Sequence, residues 1–230
     1  MKMENNLTRR RFIKKAALGT GTALAASSIP LFAIGHSQFK LSDINLGAIS
    51  YSFRSMPSSA EDILGYLTTA GLNTVELMGG AIEGFGGAPE GPGWKRGPLT
   101  DEEKAERAKH REDMKAWRLK TPMSKFKALK KMYNKEGVKI EIVKFSLDRM
   151  STEEADFCFN VAKTLGAKGI TLERTDEAVK QLAPLADKHK TLIGYHNHAK
   201  VNFNSWDAAL DYSKYNALNL DVGHYVAGTN

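Results

Sequence analysis

The feature that most limits the fold of this chain is a repeated alternation of short apolar runs with amphipathic helical stretches. Residues 44–53 (INLGAISYSF) predict a first strand, 74–78 a second, 138–145 (VKIEIVKF) a third, 169–173 a fourth, 192–196 a fifth and 218–222 a sixth. Helical periods lie between them. One opens at Ser58-Ser59-Ala60-Glu61 and ends at Gly71, and another opens at Ser151 with Glu154 three residues on. Others run from Thr175 to about Lys188 and from Ser205 to about Tyr215. A Ser followed three residues later by Glu satisfies two orphan backbone donors reciprocally, so it marks a helix start. Nearly continuous β-branched strands alternating with helices predict a parallel sheet covered by helices.

Two parallel architectures compete, an open doubly wound sheet and a closed barrel. The open sheet needs a Gly-rich phosphate turn after its first strand, and here that strand ends in Ser50-Tyr51-Ser52-Phe53-Arg54. Ionisable residues instead gather at the C-terminal ends of several strands: Glu76, Glu173, His196 with His198, and Asp221 with His224. A barrel enzyme assembles its site from many strand tips, so the expected class is α/β, a (β/α)8 TIM barrel. Residues 79–137 break the rhythm and read as an insertion. Its first part, 79–98, is rich in Gly and Pro; its second, 101–120, is a charged helix capped by Thr100 and Glu103. A lid or subunit contact and a plain solvated helix are both open readings of it.

The N-terminus is set apart from the fold. Thr8-Arg9-Arg10-Arg11-Phe12-Ile13-Lys14 precedes a weakly apolar run, 16–33, interrupted by Pro30, and Ala33-Ile34-Gly35 is a small-x-small cleavage site. Basic, weakly apolar and small residues in that order predict an export signal over 1–35. It resembles the twin-arginine class, which implies a periplasmic or extracytoplasmic protein with no stable membrane span after cleavage. The run is close to the length of a span but too weakly hydrophobic to read as one.

Setting this leader aside removes most of the basic charge. The chain carries 33 Lys and Arg against 26 Asp and Glu, net +7, whereas residues 36–230 carry 27 against 25, net +2. Nucleic acid is therefore not expected as a partner. The single cysteine, Cys158, cannot form an internal disulfide, and its helical spacing with Ala155, Phe159, Ala162 and Leu165 predicts a packed core position rather than a nucleophile. His110 and His189 lie on charged helical stretches and read as surface.

The chemistry concentrates late in the chain. Residues 171–174 (TLER) place Glu173 at a strand tip. In residues 195–198 (YHNH), alternation puts His196 and His198 on one face and Asn197 on the other. Neutral imidazoles bind borderline divalent metals and also work as acid or base near neutrality. Residues 220–224 (LDVGH) place Asp221 at the sixth strand's tip, with Gly223 allowing the turn that brings His224 over the barrel mouth. A lone Glu at a strand end is more often an ion-pair partner than a ligand; carboxylates and imidazoles converging from three successive strands are not explained that way.

The segments ITLE, GYHNH and LNLDVGHYVAG resemble the sugar phosphate isomerase/epimerase family, with its xylose-isomerase-like barrel. That family includes epimerases and dehydratases and is related to endonuclease IV. The resemblance runs from about Ile44 to Asn230, most specifically over 169–228. It implies a divalent metal (Mn, Mg, Co or Zn) held by Glu173, His196 and Asp221, and catalytic roles for His198, His224 and Glu173. No cofactor beyond the metal is implied. Many members carry Glu-Asn-His where this chain has His196-Asn197-His198, so a histidine stands in place of a metal-binding glutamate. The family takes further ligands from strands seven and eight, and the chain stops after the sixth. The resemblance thus implies an incomplete barrel of about six βα units over 36–230, compatible with a homo-oligomer. The implied activity is isomerisation or epimerisation of a small carbohydrate, a sugar or keto-sugar. A metal-dependent lyase or dehydratase on keto-sugars or inososes, and a non-catalytic sugar-binding barrel, are the alternatives.

Overall fold

The computed structural model describes residues 45–229, apart from 94, 203 and 204. The leader expected over 1–35 therefore lies outside the described residues. Among those described, no helix is long and apolar enough to cross a membrane.

In chain order the elements are β1 (Gly47–Ile49), α1 (Ala60–Thr69), β2 (Thr74–Met78), α2 (Gly79–Phe85), α3 (Asp101–Lys120), α4 (Ser124–Lys135) and β3 (Lys139–Lys144). There follow α5 (Thr152–Leu165), β4 (Gly169–Glu173), α6 (Asp176–His189), β5 (Leu192–His196), α7 (Asp207–Asp211), β6 (Asn216–Asn219) and α8 (Val222–Thr229). The strands form one sheet in the order β1 to β6, and every neighbouring pair is parallel. A doubly wound sheet would reverse direction part-way; this one never does.

The sheet also curls. Glu76 on β2 accepts a hydrogen bond from the Thr171 hydroxyl on β4 at 2.5 Å, and its other oxygen accepts from the Asn219 amide on β6 at 3.4 Å. Side chains from alternate strands meeting across an interior are the layered filling of a barrel. The polar character of this layer (Glu, Thr and Asn) explains why it satisfies itself by hydrogen bonding rather than by apolar contact.

The helices cover the outside. Ser151 and Glu154 cap α5 reciprocally, and α5 ends on Gly166, whose φ of +80° is the left-handed conformation that favours glycine. The face of α5 bearing Ala155, Cys158, Phe159 and Ala162 is buried against the sheet. Cys158 is fully buried, and burial pushes its thiol well above the ordinary range. That suits a packing residue. α4 contributes the buried Phe126, Leu129 and Tyr133, and the Tyr133 hydroxyl reaches the Ala60 carbonyl at 2.7 Å.

Several expected boundaries move. The first strand is short, because Ser50–Phe53 forms a 3-10 turn and the Ser50 hydroxyl accepts the Met78 backbone N–H. The cap of α1 is Ser59 with Asp62, one residue later than the Ser58–Glu61 pair. The sixth strand lies at 216–219 rather than 218–222, which puts Asp221 at the entry to α8. The segment 79–137 carries three helices, and the charged one, α3, is tied down through Arg118. That guanidinium lies 2.7 Å from Glu83 on α2 and 2.8 Å from Glu154 on α5, with all three side chains largely buried. His189 is not at the surface either. It stacks on Phe159 with centroids 4.4 Å apart and contacts Asp156 at 2.6 Å, because its position at the end of α6 turns it inward against α5.

Candidate metal centre

The C-terminal ends of β4, β5 and β6 lie in register. Glu173 pairs with His196, and His196 pairs with Asn219. This alignment carries the functional side chains to one level of the barrel mouth.

Three imidazoles meet there. His196 lies 5.2 Å from His198 and 6.2 Å from His224 between ring centroids, and His198 lies 5.0 Å from His224. Each ring offers a nitrogen, and the three nitrogens lie within 4.8 Å of one another. Three imidazoles at that spacing match the donor set of a three-ligand zinc-type site that leaves a coordination position open.

Asn197 holds the rings in place. It is 1% exposed, its amide donates to the Asp221 carbonyl at 3.1 Å, and its carbonyl oxygen accepts the Asp221 N–H at 2.8 Å. This two-way clamp fixes the start of α8 against the end of β5. The Asp221 carboxylate then accepts the His224 N–H at 2.8 Å, the geometry of a helix N-cap. That backbone hydrogen bond, with the nearby His224 and His196, holds the Asp221 carboxyl below its ordinary range. Gly223 makes no left-handed turn. It sits in the first turn of α8, where a Cβ would approach the Asp221 carboxylate to 3.3 Å, so glycine leaves room for the cap.

Glu173 faces the cluster from β4. One oxygen is 2.7 Å from Lys144 Nζ and the other 2.8 Å from His198 Nε2. Burial pushes the Glu173 carboxyl up; the Lys144 hydrogen bond and charge, helped by His196 and His198, outweigh this and hold it below the usual range. The expected ligand set of Glu173, His196 and Asp221 is thus not the set that the chain brings together. Among the described residues, His198 and His224 join His196, while Asp221 serves as a cap and Glu173 is shared between Lys144 and His198. Sequence reasoning passed over Lys144, Asn197 and Asn219. For Asn197 the signal was present, since alternation placed it opposite the two histidines.

Compared with solved structures, the chain is similar to the "probable 3-DHS dehydratase AsbF" from Bacillus anthracis, at TM-score 0.54 and 14% identity, over 81% of this chain and 66% of that one. The fold is a parallel β/α barrel. A xylose isomerase domain protein from Planctomyces limnophilus aligns at TM-score 0.49 and 11% identity, over 80% of this chain and 67% of that one. A protein from Parabacteroides distasonis aligns at TM-score 0.46 and 18% identity, over 73% and 58%. The chain therefore spans about two thirds or less of the length of these structures. No family model and no curated protein matches it.

Proposed function

We propose that this chain is the metal-binding part of an enzyme that acts on a small carbohydrate, isomerising or epimerising a sugar or keto-sugar. The observation that supports this reading best is the meeting of His196, His198 and His224 at the C-terminal mouth of a parallel barrel. The fit to a divalent cation is chemical as well as geometric: an all-imidazole set favours borderline ions such as Zn2+ or Co2+ over Mg2+, which prefers oxygen. When bound, such an ion polarises a substrate carbonyl and so acidifies the adjacent C–H.

The chain's own residues supply the rest of the proposal. Glu173 accepts from His198 Nε2, which fixes that ring's tautomer and leaves its other nitrogen for the cation. The same carboxylate lies 2.8 Å from the His198 ring and is the proposed acceptor of the substrate proton. Lys144, 2.7 Å from Glu173, holds the carboxylate in place and adds positive charge near a developing oxyanion. Incubating the metal-loaded protein with candidate sugars in deuterated water tests this. Exchange of an α-proton, greatly slowed in Glu173→Gln when the two proteins are compared at equal metal loading, is expected; no exchange with any sugar would remove the enzymatic reading.

A second reading, a lyase or dehydratase, is favoured by the likeness to a structure described as a dehydratase. The same acidified C–H can lose its proton with departure of a β-substituent, so an unsaturated product would distinguish it from an epimer or isomer. Export by the twin-arginine route is likewise proposed, on Arg9 and Arg10. Replacing both with Lys should stop extracytoplasmic accumulation, and normal export of that variant would refute the assignment.

A further inference from the structure

A cavity of about 510 Å³ opens between α6 and α7, at the C-terminal ends of β4 and β5 and apart from the barrel interior. Arg174, Lys180 and Lys200 line it, with Asp176 the only acidic residue among the described residues of its lining and Tyr212 forming one wall. Three cations against one carboxylate leave this small space net positive in a domain whose overall charge is close to neutral.

The cations are also under-used. Arg174 gives Nη2 to Asp176 at 2.7 Å, yet its buried Nε has no hydrogen-bond partner among the described residues. A buried charged donor without an acceptor is uncommon, and a modest turn of the guanidinium would let an oxygen in the cavity satisfy it. Among the described residues, Lys200 forms no ion pair, and Lys180 Nζ lies over the Tyr212 ring, 5.7 Å from its centroid, without a carboxylate partner. Asp176 holds the guanidinium in orientation without neutralising the two lysines. Tyr212 is 45% exposed and gives a flat surface for whatever carries the anion.

We propose that this cavity is a binding site for a small oxyanion, a phosphate, sulfate or carboxylate group, held by Arg174, Lys180 and Lys200. The Arg174 fork supplies directional donors, and the lysines supply point charge. The site is separate from the histidine cluster and does not depend on the function proposed for it. The oxyanion could be a free inorganic ion or the acidic group of a sugar, and the two sources are separable by experiment.

Calorimetric titration of the full chain at low salt, with inorganic phosphate, sulfate and galacturonate as probes, tests the proposal. Saturable binding at one site is expected, weakened roughly tenfold or more in the Lys180→Ala/Lys200→Ala double variant and in Arg174→Lys, which keeps the charge but loses the fork. His196→Ala should leave binding unchanged. Tighter binding of galacturonate than of phosphate or sulfate would point to an acidic sugar, and the reverse to an inorganic ion. Circular dichroism of the variants checks that they fold. An absence of saturable binding by all three probes, or binding that survives the lysine replacements and disappears in His196→Ala, would overturn the assignment.

Discussion

In α4 and the strands beside it, Phe126, Leu129, Tyr133, Val143 and Ile170 are fully buried, whereas Leu210, Tyr212, Leu218, Leu220, Val222 and Val226 are 44–62% exposed. The first group belongs to a wall where each strand has neighbours on both sides and a helix over it. The second lies around β6, which pairs only with β5 among the described residues and leaves its other side without a strand. The histidine cluster stands on this less buried edge. Its shape therefore depends less on packing than on hydrogen bonds, the clamp from Asn197 to Asp221 and the cap from Asp221 to His224.

The contrast can be broken by truncating one side chain on each side of it. Phe126→Ala should cost about 3–5 kcal/mol, because a fully buried ring leaves a cavity among well-packed neighbours. Leu218→Ala, already 44% exposed, should cost no more than about 0.5 kcal/mol. Urea melts of the two variants measure this, and similar losses would mean that β6 is as well covered as the wall.

Arg118 makes a second contrast, between the charged helix α3 and the rest of the outer layer. Arg118→Ala strips two buried carboxylates, Glu83 and Glu154, of their partner and should cost about 3 kcal/mol. Limited proteolysis should then cut within 101–120 first. The pH dependence follows from Glu154. Burial raises its carboxyl, but the Ser151 N–H and Arg118 outweigh this and hold it below its ordinary value of 4.5. A carboxyl depressed in the folded state contributes fully above its unfolded value and loses that contribution as pH falls through the folded one. Stability should thus drop on acidification below about pH 4.5, and Glu154→Gln should flatten that drop.

A smaller expected loss than at Phe126 or Arg118 is the most informative about the site. Asn197→Ala removes both bonds to the Asp221 backbone and should cost about 1–2 kcal/mol. It should loosen His224 relative to His196 far more than it affects the wall. Hydrogen exchange of the α8 amides, measured beside those of α5, checks that asymmetry.

Much of the barrel is legible in the sequence because parallel strands buried on both faces read as apolar runs, and 74–78, 169–173 and 192–196 appear where expected. The shortfalls are local. The Ser58–Glu61 and Ser59–Asp62 pairs both have cap spacing, and the choice between them depends on where the chain leaves the preceding turn. The sixth strand was misplaced because Leu218–Val222 is as apolar as Asn216–Asn219, while the Asn197 clamp that ends it is a contact 24 residues away. His189 looked exposed on a charged stretch, yet its stacking on Phe159 requires knowing that α5 and α6 are neighbours. The histidines were visible as a group; their convergence without Asp221 was not, since it follows from Asp221 acting as a cap.

The central claim is that His196, His198 and His224 form one cation site, and a Co2+ titration followed by visible absorption and elemental analysis tests it most directly. About one ion per chain is predicted, with the intense visible bands of a low-coordinate nitrogen-rich site. Each single His→Ala replacement should weaken it by roughly tenfold or more. Asp221→Asn should retain the ion, because Asn caps a helix about as well as Asp. Stoichiometric binding that survives His198→Ala and His224→Ala but is lost in Asp221→Asn would contradict the account and return the aspartate to the metal.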